Sequence, residues 1–372
     1  MHSATCVRGR RTVAEQLGRP RKESTLRFAF ALVCLTIAIV GCSRARRADV
    51  LRPSTVAYVS DEAGGDVVAV DVKKATVLSR MPAGKRPRAV KLSHDGTKLY
   101  VSLSGSPRAD PGGARAEAKQ PDRAADGIGV IDIATRRLVG KLPCGRDPES
   151  FDLSVDDRTL YVSNEETAEL TVLDAASGAQ KARVPVGREP EGVTVRADGK
   201  VVFVTSEQDD EVTAVDTGTL AVIAHIKTDM RPRSVVFTQA GSIGFVTAES
   251  GVRVTVIDGE RFATLASIPI TQSSPTPSGP RPMGAVLSPD DRTLYVSTGR
   301  GASVAIIDVA SRRQIRSIDG AGGRPWGIAV SADGSHLFTA NGTSSDLSIL
   351  DVATGNVERR VQIGGLPWGV AL

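Results

Sequence analysis

Seven Xaa-Pro-Xaa tripeptides recur along this 372-residue chain and carry its most chemically distinctive side chains. The prolines are Pro87, Pro148, Pro190, Pro232, Pro282, Pro325 and Pro367. Before them stand Arg86, Asp147, Glu189, Arg231, Arg281, Arg324 and Leu366; after them stand Arg88, Glu149, Glu191, Arg233, Met283, Trp326 and Trp368. One half of the series is therefore Arg-Glu-Glu-Arg and the other Met-Trp-Trp, and the two tryptophans are the only ones in the chain. Paired acids such as Glu149 and Glu191 can serve acid–base chemistry or hold a cation such as calcium. Arginines beside tryptophans suit an anionic or planar ligand, or a partner's side chain. The plainer expectation is that Arg and Glu pair with one another, and that the tryptophans cap a core. Acidic residues at a matched loop position, Glu62, Glu165, Glu207 and Glu249, are placed to approach the charged half.

The elements that must position these residues are legible as repeats. An aromatic-Val-like pattern recurs at Tyr58, Tyr100, Tyr161, Phe203, Phe245, Tyr295 and Phe338, and a strand-ending aspartate at Asp71, Asp132, Asp174, Asp216, Asp258, Asp308 and Asp351. The stretch from Pro148 to Val186 alternates apolar and polar residues in four short runs broken by turn residues, the signature of half-buried strands. Seven four-stranded units, spaced by 42 residues three times, 43 once, and 61 and 50 where insertions fall, predict an all-β seven-bladed propeller of antiparallel blades over residues 53–372. The chain begins this domain in a second strand and ends with Trp368-Gly-Val-Ala-Leu372, a first strand, so the C-terminal strand is expected to close the ring by joining the N-terminal blade. Two insertions, Ser104–Asp126 and Thr271–Gly279, fall on the face that carries the tripeptides, which marks it as the binding face.

Arg27 precedes the apolar run Phe28–Val40, which ends in Ile39-Val-Gly-Cys42. The run is too short to span a bilayer and has the shape of a secretory signal. Its ending resembles the bacterial lipobox. The expectation is a lipoprotein signal peptide over 1–41, lipidation at Cys42, a tether over 42–52, and membrane attachment through the lipid alone. Ser43 favours an outer-membrane anchor facing the periplasm, or display at the cell surface. Beyond residue 41 the chain carries 40 basic and 40 acidic residues, so no electrostatic case exists for nucleic acid. Cys144 is the one cysteine of the propeller, at a position held elsewhere by Ala83 or Val186, and reads as a buried small side chain.

His94, His225 and His336 fall on turns or an outer strand and suggest neither a metal cluster nor a catalytic base; haem-attachment, phosphate-loop and nucleophile-elbow motifs are absent from the sequence. The residues thus read as a binding scaffold with no catalytic residues, no metal and no required cofactor, its ligand or partner engaging Arg88, Glu149, Glu191, Arg233, Trp326 and Trp368, ringed by Arg86, Arg231, Arg281 and Arg324. The alternatives are a propeller enzyme, lactonase-like or an oxidoreductase subunit, and a structural component of the envelope or surface layer.

The units Tyr161-Val-Ser-Asn and Thr171-Val-Leu-Asp resemble the YVTN-type propeller repeat. Asp147-Pro-Glu-Ser-Phe, Val186-Gly-Arg-Glu-Pro-Glu-Gly and Pro367-Trp-Gly-Val-Ala are similar to the seven-repeat family associated with pyrroloquinoline quinone (PQQ) dependent catabolism. That resemblance implies an exported accessory protein beside periplasmic dehydrogenases or transport components, with PQQ or calcium as conceivable ligands.

Overall fold

The computed structural model describes residues 55–108, 120–273 and 276–372. The leader, Cys42, the tether and 109–119 of the first insertion lie outside the described residues. Seven four-stranded antiparallel sheets form the seven blades of a propeller. Blade 1 orders its strands Pro367–Ala371, Val56–Asp61, Asp66–Asp71, Thr76–Pro82, so the C-terminal strand completes the N-terminal blade as the repeat phase predicts. Blade 2 starts at Pro87, blade 3 at Pro148, blade 4 at Pro190, blade 5 at Pro232 and blade 7 at Pro325; the short first strand of blade 6 is Ala285–Leu287.

Each blade is apolar on both faces through its middle strands, and each of the seven hydrophobic clusters lies between two successive blades. Val67, Ala69 and Met81 of blade 1 meet Leu99, Val101 and Leu103 of blade 2, and Phe338 and Leu347 of blade 7 meet Val59 and Val68 of blade 1. A single blade could bury neither face, and stacking in a ring buries both. The fourth strands are exposed on their outer side, as the pattern eeeieB over Arg137–Leu142 shows.

The recurrent aspartate closes the hairpin between strands three and four. In all seven blades its Oδ1 accepts the backbone N–H three residues on, as in Asp132 with Thr135 (2.7 Å) and Asp216 with Thr219 (2.8 Å). Such Asx turns explain why the aspartate repeats with the strands. Cys144 is buried, and burial pushes its thiol well above the ordinary value, in keeping with an inert core residue.

Candidate functional site

The tripeptides sit where the inner strands begin. In five of them the residue before proline adopts the left-handed region: Arg86 (φ 46°), Asp147 (52°), Glu189 (51°), Arg231 (61°) and Arg324 (56°). That conformation is costly for a side-chain-bearing residue, and it recurs around this opening as it does at the turns between strands three and four, from Ala75 to Arg312. Arg281 lies outside this set and does not line the cavity, in contrast to its predicted place among the rim arginines. It follows the second insertion, which changes how the chain enters blade 6.

Past six of the seven prolines the strand register slips, as between Pro87 and Val90 or Pro148 and Phe151; blade 6, whose first strand starts at Ala285, is the exception. The slip turns the residue after proline toward the channel. A hydroxyl two residues past the repeated aromatic holds the distorted segment. Ser102 Oγ accepts the Ala89 N–H of its own blade (3.0 Å) and donates to the Glu149 carbonyl of the next (2.9 Å). Ser163, Thr205, Thr247, Ser297 and Ser60 do the same for Glu191, Arg233, Met283, Trp326 and Arg88. These hydroxyls fix the mouth residues to their neighbours around the ring. Sequence reasoning passed over them, although the Ser or Thr at aromatic-plus-two was visible.

The mouth opens onto a cavity of about 420 Å³. Its charged half is a closed network. Arg88, 4% exposed, reaches Glu149, Glu62 (3.4 Å) and Asp147 (3.6 Å). Burial works against its charge, but Glu149, Asp147, Glu62 and Glu165 together hold its pKa above the ordinary arginine value. Arg233 pairs with Glu191 (2.5 Å), Glu207 and Glu249 (3.3 Å), while Arg86 binds Glu62 (2.9 Å) and Arg231 binds Glu207 (2.5 Å). The expected approach of the loop acids to the polar half is thus what the structure shows. Burial pushes the Glu149 carboxyl well above the usual range; Arg88 opposes this, and the charges of Glu191, Glu165 and Asp147 reinforce it. Glu165 is raised for the same reasons, burial first.

The other half is open-handed. Trp326 and Trp368 lie 6.1 Å apart, and the Arg324 guanidinium stacks 4.7 Å over Trp326. Arg300 joins Arg324 on the cavity wall, and neither has an ion pair among the described residues. Burial lowers the Arg324 pKa, and the neighbouring Arg300 lowers it further. The Trp326 indole N–H is buried without a hydrogen-bond partner. Glu207 and Glu249 behind the wall balance Arg231 and Arg233, so the cationic character of the cavity is concentrated at Arg300 and Arg324, which favours an anionic group on that side. Pro107 and Arg108, from the start of the first insertion, also reach this wall, so that insertion does lie on the mouth face.

Residues 193–367 match the model of the seven-bladed β-propeller lactonase family. The match runs from blade 4 to the last tripeptide and contains Arg233, Arg300, Arg324 and Trp326; Arg88, Glu149 and Glu191 precede it. No curated protein matches the sequence. Among solved structures, the chain is similar to the Pseudomonas aeruginosa periplasmic gluconolactonase (19% identity, TM-score 0.67, covering 85% of this chain and 98% of that one). It is also similar to Kuenenia stuttgartiensis hydrazine synthase (19%, TM-score 0.68, 80% and 93%) and to a functionally unknown protein of Desulfotomaculum acetoxidans (13%, TM-score 0.69, 86% and 98%). At these identities the likeness is one of fold. The lactonase match corrects the reading of the chain as a scaffold without catalysis: the matched part of the propeller is similar to an enzyme family.

Proposed function

We propose that the mouth hydrolyses a lactone that carries a negative charge. The observation that supports this reading most is the buried Glu149 carboxyl, raised in pKa and set against Arg88 in a cavity whose opposite wall offers unpaired arginines. Hydrolysis adds a water oxygen to the acyl carbon and breaks the ring C–O bond, giving a hydroxy acid. In this reading Glu191 takes the water proton, and the Arg88 and Arg233 guanidinium groups stabilise the charge that builds on the carbonyl oxygen. Glu149 gives its proton to the departing ring oxygen and regains one as Glu191 gives up the proton it took from water, while the product acid releases one proton to solvent, which balances the turnover. Arg300 and Arg324 receive the anionic substituent, and the tryptophans cover the ring.

The same reading keeps export and acylation at Cys42, which a Cys42→Ser variant that still incorporates labelled fatty acid would refute. It also gives the PQQ-type resemblance a chemical sense. Oxidation of a cyclic hemiacetal by a periplasmic quinone-dependent dehydrogenase yields a lactone, so such a dehydrogenase is the partner class that would supply substrate. The test is acid release by the purified full chain from a panel of sugar γ- and δ-lactones, neutral, phosphorylated and carboxylated. Glu149→Gln and Glu191→Gln are each expected to lower kcat by about 10²-fold or more with the fold intact. Rates equal to buffer across the panel, or hydrolysis indifferent to both variants, would remove the proposal.

A further inference from the structure

At the far end of blade 7's second strand, away from Gly342 and Thr343 at the mouth, three side chains from three adjacent strands converge: His336, Asp351 and Glu358. One ligand atom from each lies within 4.8 Å of the other two. The sequence suggested no histidine cluster because the three are 15 and 7 residues apart; cross-strand register, with His336 opposite Asp351, brings them together.

The hydrogen bonds around His336 fix its tautomer. The Asp333 carboxylate accepts from the Ser335 hydroxyl (2.7 Å), as well as from Ser331 Oγ (2.6 Å) and the Ser335 N–H (3.0 Å). Ser335 has one proton and gives it to Asp333, so toward His336 Nδ1 (2.7 Å) its oxygen can only accept. Nδ1 therefore carries the hydrogen, and Nε2 faces Glu358 Oε2 at 3.3 Å. A neutral imidazole would set a lone pair against a carboxylate oxygen at that distance, with the second carboxylate, Asp351, beside it. Either the proton of an imidazolium or a bound cation must therefore lie between them.

Blade 3 shows how the same three positions are otherwise filled. There they are Thr159, Asp174 and Lys181, and the Lys181 ammonium sits between the other two, 3.0 Å from Thr159 Oγ1 and 3.6 Å from Asp174 Oδ2. Blades 1, 2, 4, 5 and 6 place Leu78, Val139, Ile223, Leu265 and Ile315 where blade 7 has Glu358. Blade 7 alone replaces an internal cation or an aliphatic side chain with a second carboxylate, and adds an imidazole held by a serine–aspartate relay. Orientation of a ligating histidine through its other ring nitrogen is what metal sites require.

We propose that His336 Nε2, Asp351 and Glu358 bind a divalent transition ion of the zinc class, with water as the fourth ligand. The 3.3 Å separation of Nε2 and Oε2 fits the edge of a tetrahedron with bonds of about 2.0 Å. An imidazole ligand and only two carboxylates disfavour calcium and magnesium. The adjoining cavity of about 340 Å³, walled also by Lys73 of blade 1 and by Arg359, leaves room for the water.

The experiment is titration of chelator-treated full-length protein with Zn²⁺ by calorimetry and with Co²⁺ by visible absorption. One ion per chain is expected, with a tetrahedral cobalt spectrum free of thiolate charge transfer. His336→Ala should abolish binding, Glu358→Gln should weaken it at least tenfold, and Ser335→Ala should weaken it about tenfold by releasing the ring. Glu358 is an exposed side chain, so its variant folds even if that of His336 does not. No ion bound by the wild type would leave a plain imidazolium–carboxylate pair and overturn the proposal. Binding unchanged in Glu358→Gln, or a thiolate spectrum, would place the metal elsewhere and overturn it equally. Lactone hydrolysis is expected to survive these substitutions, so the two readings fail separately.

Discussion

On blades 2 to 5 the residue after the mouth proline is charged, and Arg88, Glu149, Glu191 and Arg233 are all committed to ion pairs within the protein. On blades 6, 7 and 1 it is Met283, Trp326 or Trp368; of the arginines on this side, Arg324 stacks on Trp326 and Arg300 lines the same wall. The backbone framework is shared, down to the hydroxyls that hold Glu149 and Trp326 alike. The difference lies in whether the protein satisfies its own charges. The first half is a finished electrostatic structure, suited to perturbing a carboxyl; the second leaves donors for a ligand to satisfy.

That comparison is broken most directly by removing one arginine from each half. Arg88→Ala leaves Glu62, Asp147 and Glu149 buried without their shared counter-charge and is expected to cost about 3–5 kcal/mol in chemical denaturation. Arg324→Ala removes a cation that no carboxylate depends on, so its stability should stay within about 0.5 kcal/mol of wild type. Its effect should fall on KM for charged lactones and spare neutral ones. Comparable destabilisation by the two variants would show that the halves do not differ as described.

The second test uses pH. Because the folded-state pKa values of Glu149 and Glu165 are raised, the folded protein keeps protons that the unfolded chain has already released. Their contribution is fully present below about pH 4.3, the unfolded glutamate value, and is lost as pH rises through the raised folded values, by up to about 1.4 kcal/mol per unit for each proton. The turn aspartates have the opposite sign. Asp174, drawn down to about 2 by the Ser177 N–H and hydroxyl, contributes stability that is present at neutral pH and lost as pH falls toward that value. Glu149→Gln should flatten the fall above pH 4.3 and leave the acid limb in place. A profile unchanged by the substitution would mean that Glu149 is ionised in the folded state like an ordinary surface acid.

Much of this architecture could be read from the chain because a propeller writes itself in periods: the aromatic, the aspartate and the proline return with each blade, and the phase of the first and last repeats predicts the closing strand. The charged and aromatic halves of the mouth were legible for the same reason. What periodicity could not supply was the exceptions. Arg281 fits the pattern by position, yet its insertion removes it from the rim. Arg300 reaches the cavity from a short 3₁₀ turn, Gly299–Gly301, whose counterpart in blade 3, Glu165–Thr167, carries Glu166 at that place, so the repeat gives the position and not the arginine. His336, Asp351 and Glu358 meet through register across three strands, which spacing along one strand does not reveal. The paired acids read most plainly as partners of the arginines, and the burial that perturbs the Glu149 carboxyl shows only in the fold.

One further exception can be tested by repairing it. Six of the seven seams are held by the hydroxyl two residues past the aromatic, from Ser60 to Ser297. In blade 7 that position is Ala340, fully buried, and Thr339 beside it turns its hydroxyl to the Ala321 carbonyl instead. The seam between blades 7 and 1, where the ring is closed, therefore lacks the tie that would join Trp368 to its neighbour. It is bridged elsewhere by Arg359, which donates to the Lys73 carbonyl (2.5 Å). Ser102→Ala, which recreates the blade 7 condition at an ordinary seam, is expected to cost about 1–3 kcal/mol by orphaning the Ala89 amide and the Glu149 carbonyl. Ala340→Ser should add the missing tie and raise stability by about 0.5–1.5 kcal/mol, measured as the shift of the denaturation midpoint. If Ala340→Ser lowers the midpoint instead, the closure seam has no space for a hydroxyl; the close approach of Gly327 to the Trp368 carbonyl does not account for this, since Gly192 and Gly284 approach the next blade as closely at seams that carry the hydroxyl. A gain would mean that the closing seam is the least secured of the seven, and that the aromatic half of the mouth, which it carries, is the half freest to adjust to a ligand.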